Sequence, residues 1–304
     1  MTWPGMVAAL REGHLAPRAI VNDTFLARGG DTLLSRSAWI EGIGIGVKSV
    51  TVMPGNAGEG RPTVQGAMLL FDDRTGALDA VLDGDLVTGW KTAADSVLGA
   101  TLLARPDPER LAILGAGEVA GNLARAYVAT FPSLRDIAIW NRTPAGAAAL
   151  AAELLAHGLP ARACSDRPAA VAAADIVSTA TMSSEPVLHG DWVTPGTHVD
   201  LVGAFRRDMR EANDALLVKS AIHVDARATV LDHIGEIAIP LAEGTIMRTD
   251  IRGDLYDLVS GAAAPPGADA ITVFKNGGGA HLDLMCARAI LRAIPARSGS
   301  ERDR

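Results

Sequence analysis

The run Leu111-Ala112-Ile113-Leu114 passes without a break into Gly115-Ala116-Gly117-Glu118-Val119-Ala120, and then into a segment of helical composition. A short apolar strand followed by G-x-G-x-x-A and a helix is the pattern of a turn that binds a dinucleotide. Gly115 permits the tight turn. Gly117 lets the backbone approach a pyrophosphate, and Ala120 lets the helix pack closely on the strand. Glu118 and Val119 open the helix, where free N–H groups and the positive end of the dipole face the phosphates.

The surroundings decide how much weight this motif bears. Beyond Arg105-Pro106-Asp107-Pro108, apolar runs of strand length alternate with helical segments as far as Ile271–Phe274. That alternation predicts an α/β domain of Rossmann type, a doubly wound parallel sheet with helices on both faces. Ahead of the prolines, Trp3 to His14 reads as an amphipathic helix, Thr32 to Ala80 as β-rich, and Thr92 to Leu103 as a helix. With 304 residues the chain has room for two domains, at roughly 150 residues each. The expected division is 1–105 and 106–279, followed by a helix over 280–294 and a polar, flexible tail over 295–304.

Composition narrows the partners. The formal net charge of −7 lacks the basic face that nucleic acid requires. The two cysteines, Cys164 and Cys286, form neither a disulfide framework nor a metal spacing. No signal-like N-terminus and no membrane-spanning run is read, so a cytoplasmic protein is expected.

The second strand of the nucleotide-binding unit ends at Trp140-Asn141-Arg142-Thr143. An NAD site usually places an acid here for the ribose 2′-hydroxyl. Arg142 can instead pair with a 2′-phosphate, and Thr143 can donate to it, which favours NADP(H) while leaving NAD(H) open.

With these blocks read, the chain resembles the ornithine cyclodeaminase/μ-crystallin family along nearly its whole length. The resemblance rests on Gly46-Val47-Lys48-Ser49-Val50-Thr51-Val52 with Pro54-Gly55-Asn56, Pro62-Thr63-Val64-Gln65-Gly66, Lys91-Thr92-Ala93-Ala94, the Gly115 motif, Asn141-Arg142-Thr143, Thr179-Ala180-Thr181, Val202-Gly203-Ala204 and Thr272-Val273-Phe274-Lys275. It implies a second, α+β domain with a mixed sheet for substrate binding and dimerisation, to which the last helix returns. It also implies a small imino- or amino-acid substrate lying between the nicotinamide and Lys48.

Read from its strand alone, Lys48 could face solvent on a half-buried surface. The resemblance implies instead a catalytic lysine in the interdomain cleft. Lys91 stands where the family usually has an arginine for the substrate carboxylate; a lysine supplies a point charge without the bidentate fork. Thr92 is expected near the cofactor phosphates or the substrate, and Thr181 and Gly278 near the dinucleotide. Arg18 is the first candidate for a further carboxylate-binding arginine, with Arg36 second. Phe205 follows Val202-Gly203-Ala204, where cyclodeaminases are implied to carry an aspartate; Asp208 or Asp200 could stand in for it. A phenylalanine cannot move a proton, which favours hydride transfer to a C=N bond over release of ammonia. The expectation is an NADPH-dependent reductase of Δ1-pyrroline-2-carboxylate or its six-membered homologue. The alternatives are an ornithine cyclodeaminase, an alanine-type dehydrogenase, or a silent NADP-binding, crystallin-like protein. No zinc spacing of His and Cys is present.

Overall fold

The computed structural model describes residues 1–294; the tail expected over 295–304 lies outside them. Thr2 caps α1 (Trp3–Gly13), accepting a hydrogen bond from Gly5 N, and Pro4 occupies the first turn. Strands β1 (Ile20–Arg28), β2 (Asp31–Ile40), β3 (Gly44–Val52), β4 (Val64–Phe71) and β5 (Leu78–Asp83) then pair in chain order. Every pairing among them is antiparallel, where the resemblance implies a mixed sheet. Short connections return each strand beside the last, and no crossover intervenes. β1 lies ahead of the stretch read as β-rich. All nine of its residues are exposed, so no alternation marks it.

Along β3 the buried positions are Gly44, Gly46, Lys48 and Val50, which puts Lys48 on the covered face. The next helix, α2 (Gly84–Leu103), starts eight residues before the predicted Thr92. Asp83 caps it, accepting from Asp85 N and Leu86 N. The glycines and threonine of its first turns conceal that start in the sequence.

The remaining strands are β6 (Arg110–Leu114), β7 (Asp136–Trp140), β8 (Ala161–Ala163), β9 (Ile176–Thr179), β10 (His198–Leu201), β11 (Ala221–Val224), β12 (Ile251–Asp254) and β13 (Thr272–Lys275). They form one parallel sheet in the order β12-β11-β13-β10-β9-β6-β7-β8. Between them run α3 (Glu118–Thr130), α4 (Pro144–Ala156), α5 (Arg167–Ala173), α6 (Asp214–Val218), α7 (Arg227–Val230), α8 (Gly235–Ala242) and α9 (Leu255–Ser260). The chain leaves β6 toward β7 on one side and returns to β9 on the other. That reversal opens a crevice at the carboxyl ends of β6 and β9, the place where such sheets bind ligands.

Two elements tie the sheets together. α2 packs on α1, α3, β4 and β13, and the Phe274 ring lies where a Cβ on Gly99 would be, 2.7 Å away. The last helix, α10 (Ala280–Ala293), follows β13 and packs back onto β2, β3 and α1. Gly46 permits that packing, since a Cβ there would meet Met68 and Leu284.

Candidate active site

The turn after β6 keeps the geometry its glycines allow. Gly115 has φ 128°, and a Cβ on it would collide with the Ala180 carbonyl. Gly117 caps α3, and a Cβ there would meet nothing within 4 Å, so its space is open to a phosphate. Ala120 is fully buried against the sheet. The α3 N-terminus faces α2 across a cleft of about 110 Å³ lined by Thr88, Gly89, Thr92, Glu118, Val119 and Asn122. Those features fit a dinucleotide. At the end of β7, Asn141 Nδ2 donates to Thr143 O at 3.1 Å, and Arg142 is exposed with no ion pair among the described residues.

Thr88 also joins this cleft to a buried group of charges. Lys48 Nζ donates to Thr88 Oγ1 at 2.9 Å and to Asp283 Oδ1 of α10 at 2.8 Å. Arg36 lies opposite Lys48 in the β2–β3 register and pairs with Asp23 at 2.9 Å. Burial opposes the charge of Asp283, but Lys48, Lys91 and Arg36 outweigh it and hold the carboxyl below its usual range. Lys91 is 7% exposed and makes no hydrogen bond within the described residues. Its Nζ rests on Gly278, whose φ of 70° and missing Cβ leave that space. Burial pushes the Lys91 pKa down; Asp283 opposes this, while Lys48 and Arg36 add to it. The arrangement can receive an anion at Lys91 and hold a proton at Lys48.

Buried carboxylates fix the loops around these charges. Asp225 accepts from Gly277 N at 2.9 Å and Gly278 N at 2.6 Å, which sets the loop under Lys91. Glu211 accepts from Thr181 N and Thr181 Oγ1, both at 2.7 Å, and from Gly203 N at 2.6 Å, tying the ends of β9 and β10. Glu236 in turn accepts from Glu211 N and Ala212 N. Burial pushes the Glu236 carboxyl up to about 7, against the pull of Lys275. Asn276 Nδ2 donates to Thr92 O and Ser96 Oγ, both at 2.9 Å, and so fastens the end of β13 to α2.

The profile of the Ornithine cyclodeaminase/mu-crystallin family matches residues 37–297. The chain belongs to that family. It is 55% identical over 295 residues to the Delta(1)-pyrroline-2-carboxylate reductase of Paracoccus denitrificans, covering 97% of this chain and 93% of that protein. Its fold matches the Thermococcus litoralis Delta(1)-pyrroline-2-carboxylate reductase in complex with NADH and L-proline, with a TM-score of 0.89 at 28% identity, over 96% of this chain and 93% of that one. An archaeal alanine dehydrogenase dimer with bound NAD also gives 0.89, at 25% identity over 96% and 91% of the two chains.

Within this ornithine cyclodeaminase/mu-crystallin fold, Lys48, Lys91 and Arg36 converge around Asp283, and Thr92, Glu118 and Val119 share the cleft at the α3 N-terminus. Arg18 does not join the Lys48 group. Its guanidinium donates to Asp254 at 2.8 and 3.1 Å and to Asp257 at 3.0 Å, over the Tyr256 ring. An arginine already satisfied by two carboxylates has little charge left for a ligand. Phe205 is 53% exposed after β10, with the Arg206 guanidinium 5.4 Å from its ring. Asp208 pairs with Arg206 on the surface, whereas Asp200 is buried inside β10 and accepts from Tyr127 and Ser178. Sequence reading missed Asp283, Asp225, Glu211 and Thr88. One signal was available: Asp283 is a charge inside the apolar run Leu282–Met285, and such a charge needs a partner.

Proposed function

We propose that the protein reduces a small cyclic imine carboxylate, Δ1-pyrroline-2-carboxylate to L-proline first and Δ1-piperideine-2-carboxylate to L-pipecolate second. The chain is a nicotinamide-dependent oxidoreductase acting on C=N bonds. The observation that carries the narrower reading is Lys91, a buried cation with no hydrogen-bond or ion-pair partner among the described residues, beside the Lys48–Asp283 pair. Lys48, Lys91 and Arg36 face two carboxylates, Asp283 and Asp23, which leaves one positive charge for a substrate that brings one negative charge. In this reading Lys91 takes the carboxylate, with Arg36 adding to the field. Lys48, held by Thr88 and Asp283, keeps a proton near the imine nitrogen. NAD(P)H, when bound along the α3 N-terminus by Gly115, Gly117 and Ala120, supplies the hydride that the imine carbon gains. Proximity and charge complementarity then do most of the work. Arg142 and Thr143 are our grounds for NADP(H) over NAD(H). Phe205 offers no carboxylate, which is our ground against ammonia release.

Residues 1–105 with 280–294 are read as the substrate and dimerisation unit, and 106–279 as the nucleotide unit. Ile20, Phe25 and Leu26 of β1, 63–76% exposed, would be covered by a second copy in a homodimer. Among the described residues no helix is long and apolar enough to cross a membrane, and a cytoplasmic enzyme is proposed.

The test is cofactor oxidation across cyclic imino acids and keto acids, with and without ammonia, plus ornithine with catalytic NAD(P). Imine turnover independent of ammonia, with negligible product from ornithine, is expected. Keto-acid turnover that needs ammonia would make it an alanine-type dehydrogenase. Ornithine turnover would make it a cyclodeaminase, and no turnover a cofactor-binding protein of crystallin type.

A further inference from the structure

Asp95 lies one helical turn beyond Lys91, on the same face of α2. It is fully buried, and neither carboxyl oxygen has a hydrogen-bond partner among the described residues. Asp95 and Lys91 form no ion pair. The groups around Asp95 are Lys91 on its own helix, Tyr127 of α3, Asp200 of β10, Asp225 after β11 and Lys275 of β13. Burial pushes the Asp225 carboxyl up to about 6, against the N–H groups of Ala226, Gly277 and Gly278 that it accepts from, so it is the anion of this group at neutral pH and above. Lys275 is turned to the Leu201 and Asn276 carbonyls, both at 2.8 Å. A second anion beside Asp225, with no donor of its own, would be a bare buried charge.

We propose that Asp95 is kept as a neutral carboxylic acid, which leaves Lys91 free to act as the counter-charge for the substrate's carboxylate. The inference rests on the reading above that Lys91 receives that carboxylate. An ionised Asp95 would offer Lys91 an internal anion one turn away and compete with substrate. A protonated one does not compete, and burial drives the group in that direction. Asp95 thus acts through Lys91 as a positioning residue. The need for it follows from Lys91 itself, because a lysine, unlike an arginine, shares its proton readily with a nearby carboxylate when buried.

The test compares wild type with Asp95→Asn, which replaces a neutral acid by a neutral amide of the same shape. As pH rises, the Lys91–Asp95 pair of the wild type loses a proton, and either product state weakens the cation. In the variant that pair has only the Lys91 proton to lose, and Asp225, which titrates near 6 in both enzymes, cancels. The KM for the cyclic imine carboxylate should therefore match between the two enzymes at neutral pH. It should climb at lower pH in the wild type, ending about tenfold above the variant on the alkaline limb, for about 1.4 kcal/mol of lost charge pairing. kcat should stay the same. Ionisation of the imine itself affects both enzymes alike and cancels. Difference infrared spectroscopy of the unliganded proteins should show the carbonyl stretch of one protonated acid in wild type that is absent from the variant. A KM raised in Asp95→Asn at every pH would mean that Asp95 is an anion supporting Lys91, and would overturn the proposal. So would identical KM profiles or a missing infrared band. The infrared arm needs no substrate, so loss of the band and failure of the reductase reading are told apart.

Discussion

At the proposed substrate end of the site Lys48, Lys91 and Asp283 are 6%, 7% and 0% exposed, whereas Arg142 after β7, the proposed cofactor end, is open to solvent. Both ends are read as holding anionic groups, yet they do so in different media. Inside, removing a charge strands its partner in a low dielectric, and each group is fixed by several others. Outside, water and salt screen the charge, and a single exposed arginine contributes little on its own. On the proposed reading, charge placed inside bears on whether the reaction runs, and charge placed outside on which cofactor is preferred.

The sharpest way to break this contrast is Lys48→Ala. It removes the proton-holding group and leaves the Asp283 carboxylate buried without its cation. The loss in kcat/KM should be at least ~100-fold, and urea unfolding should show a cost of about 3–5 kcal/mol. A loss below tenfold with normal stability would mean that the inner charges are not catalytic.

Acid should test the buried side of the contrast. His281 is buried beside the inner group, and burial lowers its pKa to about 3. His198, buried in β10, is likewise lowered to about 3. Both are neutral in the folded state, so their contribution is full above the ordinary value of 6.5 and is lost as pH falls through the folded values. Each should remove about 1.4 kcal/mol per pH unit on the way down. Urea titrations between pH 6.5 and 4 check this, and His198→Asn should make the decline less steep. An unchanged slope would show that the ring is already charged in the native protein.

The smallest effect belongs to the proposed cofactor end. Arg142→Ala should raise the KM for NADPH about tenfold, the worth of one charge-assisted contact. The KM for NADH should change less than about twofold, as for a typical exposed charge. Equal changes for both cofactors would remove Arg142 from the 2′-phosphate and leave the preference without a reader.

The same contrast explains what the sequence made legible. The Gly115 turn could be read because its strand, glycines and helix are contiguous, and each residue type answers a local steric demand. Lys91 drew attention only through the resemblance, since the chain around it looks like any alanine-rich helix. Asp283 escaped because its partner is Lys48, 235 positions away, and no local pattern records such a contact. β1 escaped for the opposite reason: its exposed apolar residues have no buried alternates to set a period of two. Sequence alone could not show the ion pairs of Arg18, because the fold brings Asp254 and Asp257 to it from 236 and 239 positions away.

The position of α10 has a consequence for synthesis. Gly278 and Asp283, which complete the surroundings of Lys91 and Lys48, emerge after both sheets have been translated. Until then Lys48 sits on a sheet face that lacks its cover, and Lys91 lacks the loop beneath it. A nascent chain can form the antiparallel sheet and most of the parallel one as separate units. It cannot assemble the charged centre piecemeal, so completion of the active enzyme is tied to delivery of its last helix.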